Sequence, residues 1–535
     1  MQRLLLLLCL AAACAAQPLD IAGERIRAHV KFLASDLLEG RGPGTRGEAL
    51  ATEYLATQFA LIGARPAGDD GTYFQNVPLL GVETQPSAQL SAAAKGKTLA
   101  FRYLDDFVGA SERQKPLDQF DAEAVFAGHG IVAPEFQWDD FKGVDVRGKL
   151  LVLFTNEPPS TDERFFGGRA LTYYGRWSYK YEQAARLGAI GAILIHTTAT
   201  AGYPWEVVRS SWGREEPQVK LAPGKPALAF AGWISRQAGQ RLLAMAGKRV
   251  EELLKLSGSR DFRPIPLGIR IRGRLPAKLR EYTTRNVAAL IPGSDELRRG
   301  EAVIFSAHWD HLGIGRPVNR DTIYNGAVDN AAGCGILLEI ARAWAALERK
   351  PRRTALFLAL TAEEGGLRGS QYYAANPLVA PGKTAAAFNF DGFYPFGRTK
   401  DVVVSGAERT TLWPLVQEAA QRMRLEIKPD PRPEQGSYYR SDHFPFAQAG
   451  IPAFSIKEGD QYHGKPESYG KKVFEEFNSK HYHQPSDEYR DDWDLAGMEQ
   501  IARFGFLLGL SAANIEQMPT WRPGDEFLPA RENSK

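Results

Sequence analysis

The chain has 535 residues, 44% of them hydrophobic and 24% charged, an ordinary balance for a well-cored soluble protein that excludes a disordered or fibrous chain. Its 66 basic and 63 acidic residues are intermixed and leave a net charge of +3. No general pull toward nucleic acid or anionic membranes follows from that, and the length points to more than one domain.

Arg3, an apolar stretch from Leu4 to about Ala13 and the small residues after it read as an export signal over residues 1–16. The stretch is short of the roughly twenty apolar residues that span a bilayer, so no transmembrane helix is expected. Cleavage near Ala15 or Ala16 releases a soluble periplasmic or secreted protein. Alternatively, Leu10-Ala11-Ala12-Ala13-Cys14 resembles a loose bacterial lipobox, in which Cys14 would carry a lipid anchor. Ala11 stands where a larger aliphatic residue is usual, which favours the soluble form. Of Cys9, Cys14 and Cys334 only the last surely survives processing, so no intramolecular disulfide framework is available, and Cys334 reads as a small packed residue.

Residues 17–118 are expected to form the N-terminal part of the same domain as residues 276–535. Ile26, Val30, Leu33 and Leu37 make one helical stripe, and Ala49, Tyr54, Leu55 and Phe59 another. Between them, Glu39-Gly40-Arg41-Gly42-Pro43-Gly44 lacks the Lys and the preceding strand of a phosphate loop and is expected to be a connecting loop near a cleft. The texture changes over 119–275. Short β-like runs at Ala124–Ala127, Leu150–Phe154 and Ala192–Ile195 alternate with Gly, Pro and aromatic residues around a helical segment at Tyr181–Arg186, which suggests a separate small α/β or β-rich domain. Its aromatic run, from Phe165-Phe166 to Tyr179, suits packing better than a substrate wall.

Residues 276–535 alternate strand and helix. Ala302–Phe305, Thr354–Leu360, Ala385–Phe390 and Pro452–Ile456 are apolar strands, and Gly335–Leu347 is an amphipathic helix. The expected fold class is α/β, a mainly parallel central sheet flanked by helices. His308, Glu363, Glu364 and Asp391 each fall just beyond a strand, at the edge where such sheets bind ligands.

These residues lie within Ser306-Ala307-His308-Trp309-Asp310-His311, Asn325–Asn330, Thr361-Ala362-Glu363-Glu364, Asn389-Phe390-Asp391 and Tyr482–Asp487. Imidazoles and carboxylates at strand ends suit Zn²⁺ with an open position for water. In the paired acids, one carboxylate can hold metal while its neighbour takes a proton.

In this order the motifs resemble the co-catalytic dizinc aminopeptidase family, metallopeptidase family 28, which includes bacterial leucyl aminopeptidases, glutamate carboxypeptidase and the catalytically silent transferrin receptor. The resemblance covers roughly 280–510 and implies a phosphorylase/hydrolase-like zinc exopeptidase fold. The segment 119–275 resembles the protease-associated domain often inserted there, through Ala127-Gly128-His129-Gly130, Val144–Lys149 and Ala184–Ala189. Carried over, the resemblance implies two Zn²⁺ ions, with Asp329 bridging, His308 and Asp391 completing one site and Glu364 and His483 the other. It also implies Glu363 as general base and Asp310 as the carboxylate that orients His308. The implied activity is an exported aminopeptidase acting on peptide N-termini. A carboxypeptidase or dipeptidase on the same scaffold and a non-catalytic receptor-like protein are the alternatives, and the intact ligand set argues against the last. His311 is expected to line the cleft, His443 to support the site, and Tyr438 and Tyr439 to offer phenolic donors to substrate.

Overall fold

The computed structural model describes residues 20–534. The expected export signal, Cys14 included, lies outside them. Among the described residues no helix is long and apolar enough to cross a membrane.

The centre is a sheet whose four inner strands are parallel, in the order Thr354–Leu360, Ala302–His308, Thr384–Asn389, Ala453–Glu458. All but the last two residues of the fourth strand are buried, which explains why they read as continuous apolar runs rather than alternating ones. The chain passes from Ala302–His308 to a neighbour on one side and next to a neighbour on the other. The carboxyl ends of these strands therefore flank a topological switch point, where open α/β sheets leave a crevice. Helices Gly23–Leu33, Ala332–Ala345 and Ala496–Asn514 cover one face through Ile26, Val30, Ile336, Ile340, Ile501 and Leu508, all at or near full burial. The first helix ends at Leu33, and Leu37, expected in its stripe, lies in the following turn 65% exposed.

A 27-residue strand, Ile265–Ile291, was not expected. Its second half pairs with Phe74–Thr84 and Thr354–Leu360 in the main sheet, while its first half pairs with Gln89–Ala94 and Leu117–Phe126 in a second sheet. Leu267, Ile269, Ile271 and Leu275 alternate inward along that half, the period-two burial of a strand with one covered face. The second sheet continues through Leu150–Phe154, Gly191–Ile195 and Phe230–Ile234, all parallel neighbours. Strands Gln89–Ala94 and Phe107–Ala110 also belong to it. Pairing thus passes from one sheet to the other just after Thr84 and near Pro276, so the expected junction at 118/119 does not coincide with it. In this unit Phe165, Phe166, Trp138 and Tyr179 pack on one another, with Phe166 fully buried, as the packing reading of the aromatic run requires.

Candidate metal centre

The strand Ala302–His308 ends by carrying His308 to the sheet edge, and the neighbouring strands deliver Glu363, Glu364 and Asp391 within a few residues of their ends. Asp329 enters on the irregular turn Ala327–Ala331, ahead of helix Ala332–Ala345 and with a cis peptide to Asn330. His483 follows helix Tyr469–Lys480 in the left-handed region, at φ 56°.

The two oxygens of Asp329 face in different directions. Oδ1 lies 3.2 Å from His308 Nε2, and Oδ2 lies 3.3 Å from His483 Nε2. On the first side Asp391 Oδ1 is 3.3 Å from the same His308 nitrogen; on the second, Glu364 Oε2 is 3.0 Å from His483 Nε2. Donor atoms about 2.0–2.1 Å from one tetrahedral ion sit about 3.3 Å from each other, so these spacings are those of ligands around Zn²⁺. Three carboxylates and two imidazoles are also the hard and borderline donors that suit divalent zinc. The donor set therefore fits bound zinc. His311 joins a further cluster with Asp329 and Glu364; its Nδ1 is 2.6 Å from Glu364 Oε1, and its buried Nε2 has no partner.

The buried charges of the cluster act strongly on one another. Burial opposes charge on Glu364, but His483 and His311 hold it well below the ordinary carboxylate range. Burial likewise works against Asp329, and hydrogen bonds from His308 and His483 pull it far down. Burial lowers His483, whereas Glu364 and Asp329 bring it up to about 9. Glu363 is the exception: burial, reinforced by Asp391 and Glu364 and opposed by His308, pushes it well above its usual range.

The supports around these groups differ in part from expectation. His308 Nδ1 donates to the Asp310 backbone carbonyl at 3.2 Å, while the Asp310 carboxylate is 3.8 Å away. That carboxylate instead accepts the backbone N–H of Glu363 at 3.1 Å and of Glu364 at 3.4 Å. Tyr438 and Tyr439 donate to Ala453 O and Glu526 Oε1, so neither phenol is free for substrate. His443 is fully buried with both ring nitrogens unpartnered, its ring 4.7 Å from that of Tyr438.

The contacts of three supporting residues were not foreseen. Asp487 accepts the backbone N–H groups of Val328 and Asp329 at 2.9 and 3.1 Å, fixing the turn that presents Asp329. Arg41, in the glycine-rich turn, is 1% exposed and donates to the carbonyls of Leu33, Trp309, Asn325 and Gly326 at 2.6–2.9 Å. Ser441 hydrogen-bonds Asp391 and receives Asn389 Nδ2 at 2.7 Å, while Asn389 Oδ1 accepts Ser306 Oγ at 2.8 Å. A cleft lined by Asp329, Glu363, Asp391, Lys457, Tyr462 and Tyr482 opens onto the cluster.

With this geometry in place, residues 286–504 match the profile of peptidase family M28. Over 109 residues the chain is 35% identical to the aminopeptidase NAALADL1 of Mus musculus, an alignment covering 20% of this chain and 13% of that relative. The solved aminopeptidase from Aneurinibacillus sp. strain AM-1 superposes with a TM-score of 0.54 at 20% identity, over 94% of this chain and 97% of its own. BSAP, a zinc aminopeptidase from Bacillus subtilis, gives a TM-score of 0.48 at 16% identity, over 97% of this chain and 100% of its own. The likeness to the Aneurinibacillus structure supports the mixed α/β fold with its central sheet.

Proposed function

Residues 286–504 are a peptidase family M28 domain, and on that premise we propose that the chain is a zinc-dependent exopeptidase, an aminopeptidase that releases N-terminal residues from peptides. Asp329 would bridge two Zn²⁺ ions, with His308 and Asp391 holding one and Glu364 and His483 the other. The observation that carries this reading is the pair of Asp329 oxygens, one turned to His308 and the other to His483.

Zinc bound there supplies Lewis acidity and makes water acidic enough to lose a proton near neutral pH. Glu363 takes the proton of the attacking water and returns it to the leaving nitrogen. Asp310, through the two N–H groups it accepts, keeps Glu363 and Glu364 turned to their separate tasks. In this reading residues 1–16 export the protein, and the unit built on the second sheet is a protease-associated insertion.

One observation favours the carboxypeptidase or dipeptidase alternative. Arg176 and Arg440 line the same recess as Glu363 and His483, and neither pairs with a carboxylate among the described residues. Arg176 Nε is buried without a partner, and Arg440 makes a 3.4 Å contact to the Tyr482 hydroxyl and lies over the Tyr203 ring. A substrate carboxylate on the leaving side would satisfy both cations.

The test is hydrolysis of amino-acid p-nitroanilides, dipeptides and N-blocked peptides by the purified mature protein, before and after chelation and zinc add-back. The aminopeptidase reading requires cleavage of free N-termini only, with activity abolished by chelator and restored by zinc. Cleavage confined to substrates with a free C-terminus would shift the assignment to carboxypeptidase. No turnover by zinc-loaded protein would leave the receptor-like alternative.

A further inference from the structure

The two halves of the cluster are supported from different places. His308 and Asp391 are held from within the peptidase sheet and its loops, by the Asp310 carbonyl and by Ser441. The other half is touched by the inserted unit. Ser211, on the short helix Trp205–Trp212, places its Oγ 2.8 Å from His483 Nδ1, a contact spanning 272 positions of sequence. Three residues later, Arg214 Nη2 reaches the Glu364 carbonyl at 3.5 Å. The helix is seated by aromatic packing, with the Trp212 ring centroid 5.3 Å from Trp177 and 5.8 Å from Tyr181, both in the same unit. The unit is tied to the peptidase part by Leu171 N–H on Pro433 O at 2.9 Å and by Asn478 Nδ2 on Gly202 O at 2.9 Å.

We propose that the inserted unit completes one of the two metal half-sites. Ser211 is a positioning residue that fixes the ring of His483 and makes the Glu364–His483 half-site depend on the docked insert. The inference rests on the dizinc reading given above. An imidazole that offers Nε2 to a metal carries its proton on Nδ1, and a fixed acceptor for that proton sets both tautomer and ring plane. Ser211 Oγ is that acceptor. The His308 half-site has its acceptor on its own loop and needs nothing from the insert. The two half-sites should therefore differ in how they respond to changes on the helix Trp205–Trp212.

The experiment is equilibrium zinc binding to the full-length mature chain, stripped of metal and titrated against a chromophoric chelator. Wild type, Ser211→Ala and Ser211→Thr are compared, each alone and on His308→Ala and His483→Ala backgrounds. Loss of a partner to a ligand imidazole typically lowers metal affinity about 10–100-fold. Ser211→Ala is expected to weaken one of two zinc ions by that factor and to leave the other within about twofold. Ser211→Thr, which keeps the hydroxyl, should retain wild-type affinity. The Ala effect should persist on the His308→Ala background and vanish on the His483→Ala background, because coupling is expected only between residues in contact. Two zinc ions bound by wild type with Ser211→Ala unchanged would overturn the assignment alone, as would an equal loss on the His483→Ala background. A wild-type chain that binds no zinc would overturn the dizinc reading and this inference with it.

Discussion

Asp310 Oδ1 accepts the backbone N–H of Glu363 at 3.1 Å, which ties the carboxylate two residues beyond His308 to the backbone of the proposed base rather than to the His308 ring. The neighbouring Glu364 N–H reaches the other oxygen at 3.4 Å. Ala362, just before the pair, stands at φ 50°, and the turn there sends adjacent side chains to different places. Asp310→Asn would set an amide donor against one of those N–H groups. Turnover is expected to fall by about 10–100-fold, the range typical of losing a support around a metal site. KM and zinc stoichiometry should change little, because neither substrate nor metal is touched. Steady-state kinetics with metal analysis checks this, and loss of zinc with normal turnover per bound metal would refute it.

Glu363→Gln removes the proton acceptor and leaves every proposed zinc ligand in place. The turnover rate is expected to drop by about two to four orders of magnitude, the usual worth of a positioned acid–base group. Zinc content should equal that of wild type. A variant that turns over substrate nearly as fast as wild type would exclude Glu363 from proton transfer.

Arg41 holds four main-chain carbonyls together, three of them on the segment between His308 and Asp329. Arg41→Met would leave buried acceptors unsatisfied, at about 1–3 kcal/mol each, offset by the desolvation of a cation no longer buried. A net loss on the order of 3 kcal/mol is expected in urea unfolding, together with weakened zinc binding. A change under about 0.5 kcal/mol would show that the carbonyls find other partners.

How far the sequence reveals this arrangement depends on what each residue touches. The five proposed ligands and Glu363 stand in short motifs, those of His308, Glu363, Glu364 and Asp391 just beyond strands, and the other four ligands gather around Asp329. Arg41 was legible only as part of a glycine-rich turn, because nothing local marks a guanidinium whose partners lie 8 to 285 positions away. Ser211 is an unremarkable helical serine until the insert docks against His483. Asp310 was readable as an acid near the site, but choosing between the His308 ring and the Glu363 N–H requires the path of two separate loops. The strand Ile265–Ile291 was missed because its face changes between two sheets, so no single burial period runs its full length.

His129 supplies a pH dependence away from the metal cluster. It is 2% exposed, its Nδ1 donates to the Thr155 carbonyl at 3.1 Å, and burial pushes its pKa down to about 3. The folded pKa lies below the unfolded value near 6.5, so between these values the unfolded chain binds more protons. The contribution of neutral His129 is complete above about pH 6.5 and is lost as pH falls toward 3. Relative to His129→Asn, wild type should lose stability on the order of 3 kcal/mol between pH 6.5 and pH 4. Urea unfolding of both proteins across that range checks this, and parallel pH profiles would contradict it.

The most direct measurement for the dizinc centre is anomalous diffraction at the zinc edge from crystals of the zinc-loaded mature protein. Two peaks about 3.5–4 Å apart, the usual spacing of paired catalytic metals, are expected on either side of Asp329, one beside His308 and Asp391 and one beside Glu364 and His483. A single peak, or peaks away from Asp329, would contradict the account.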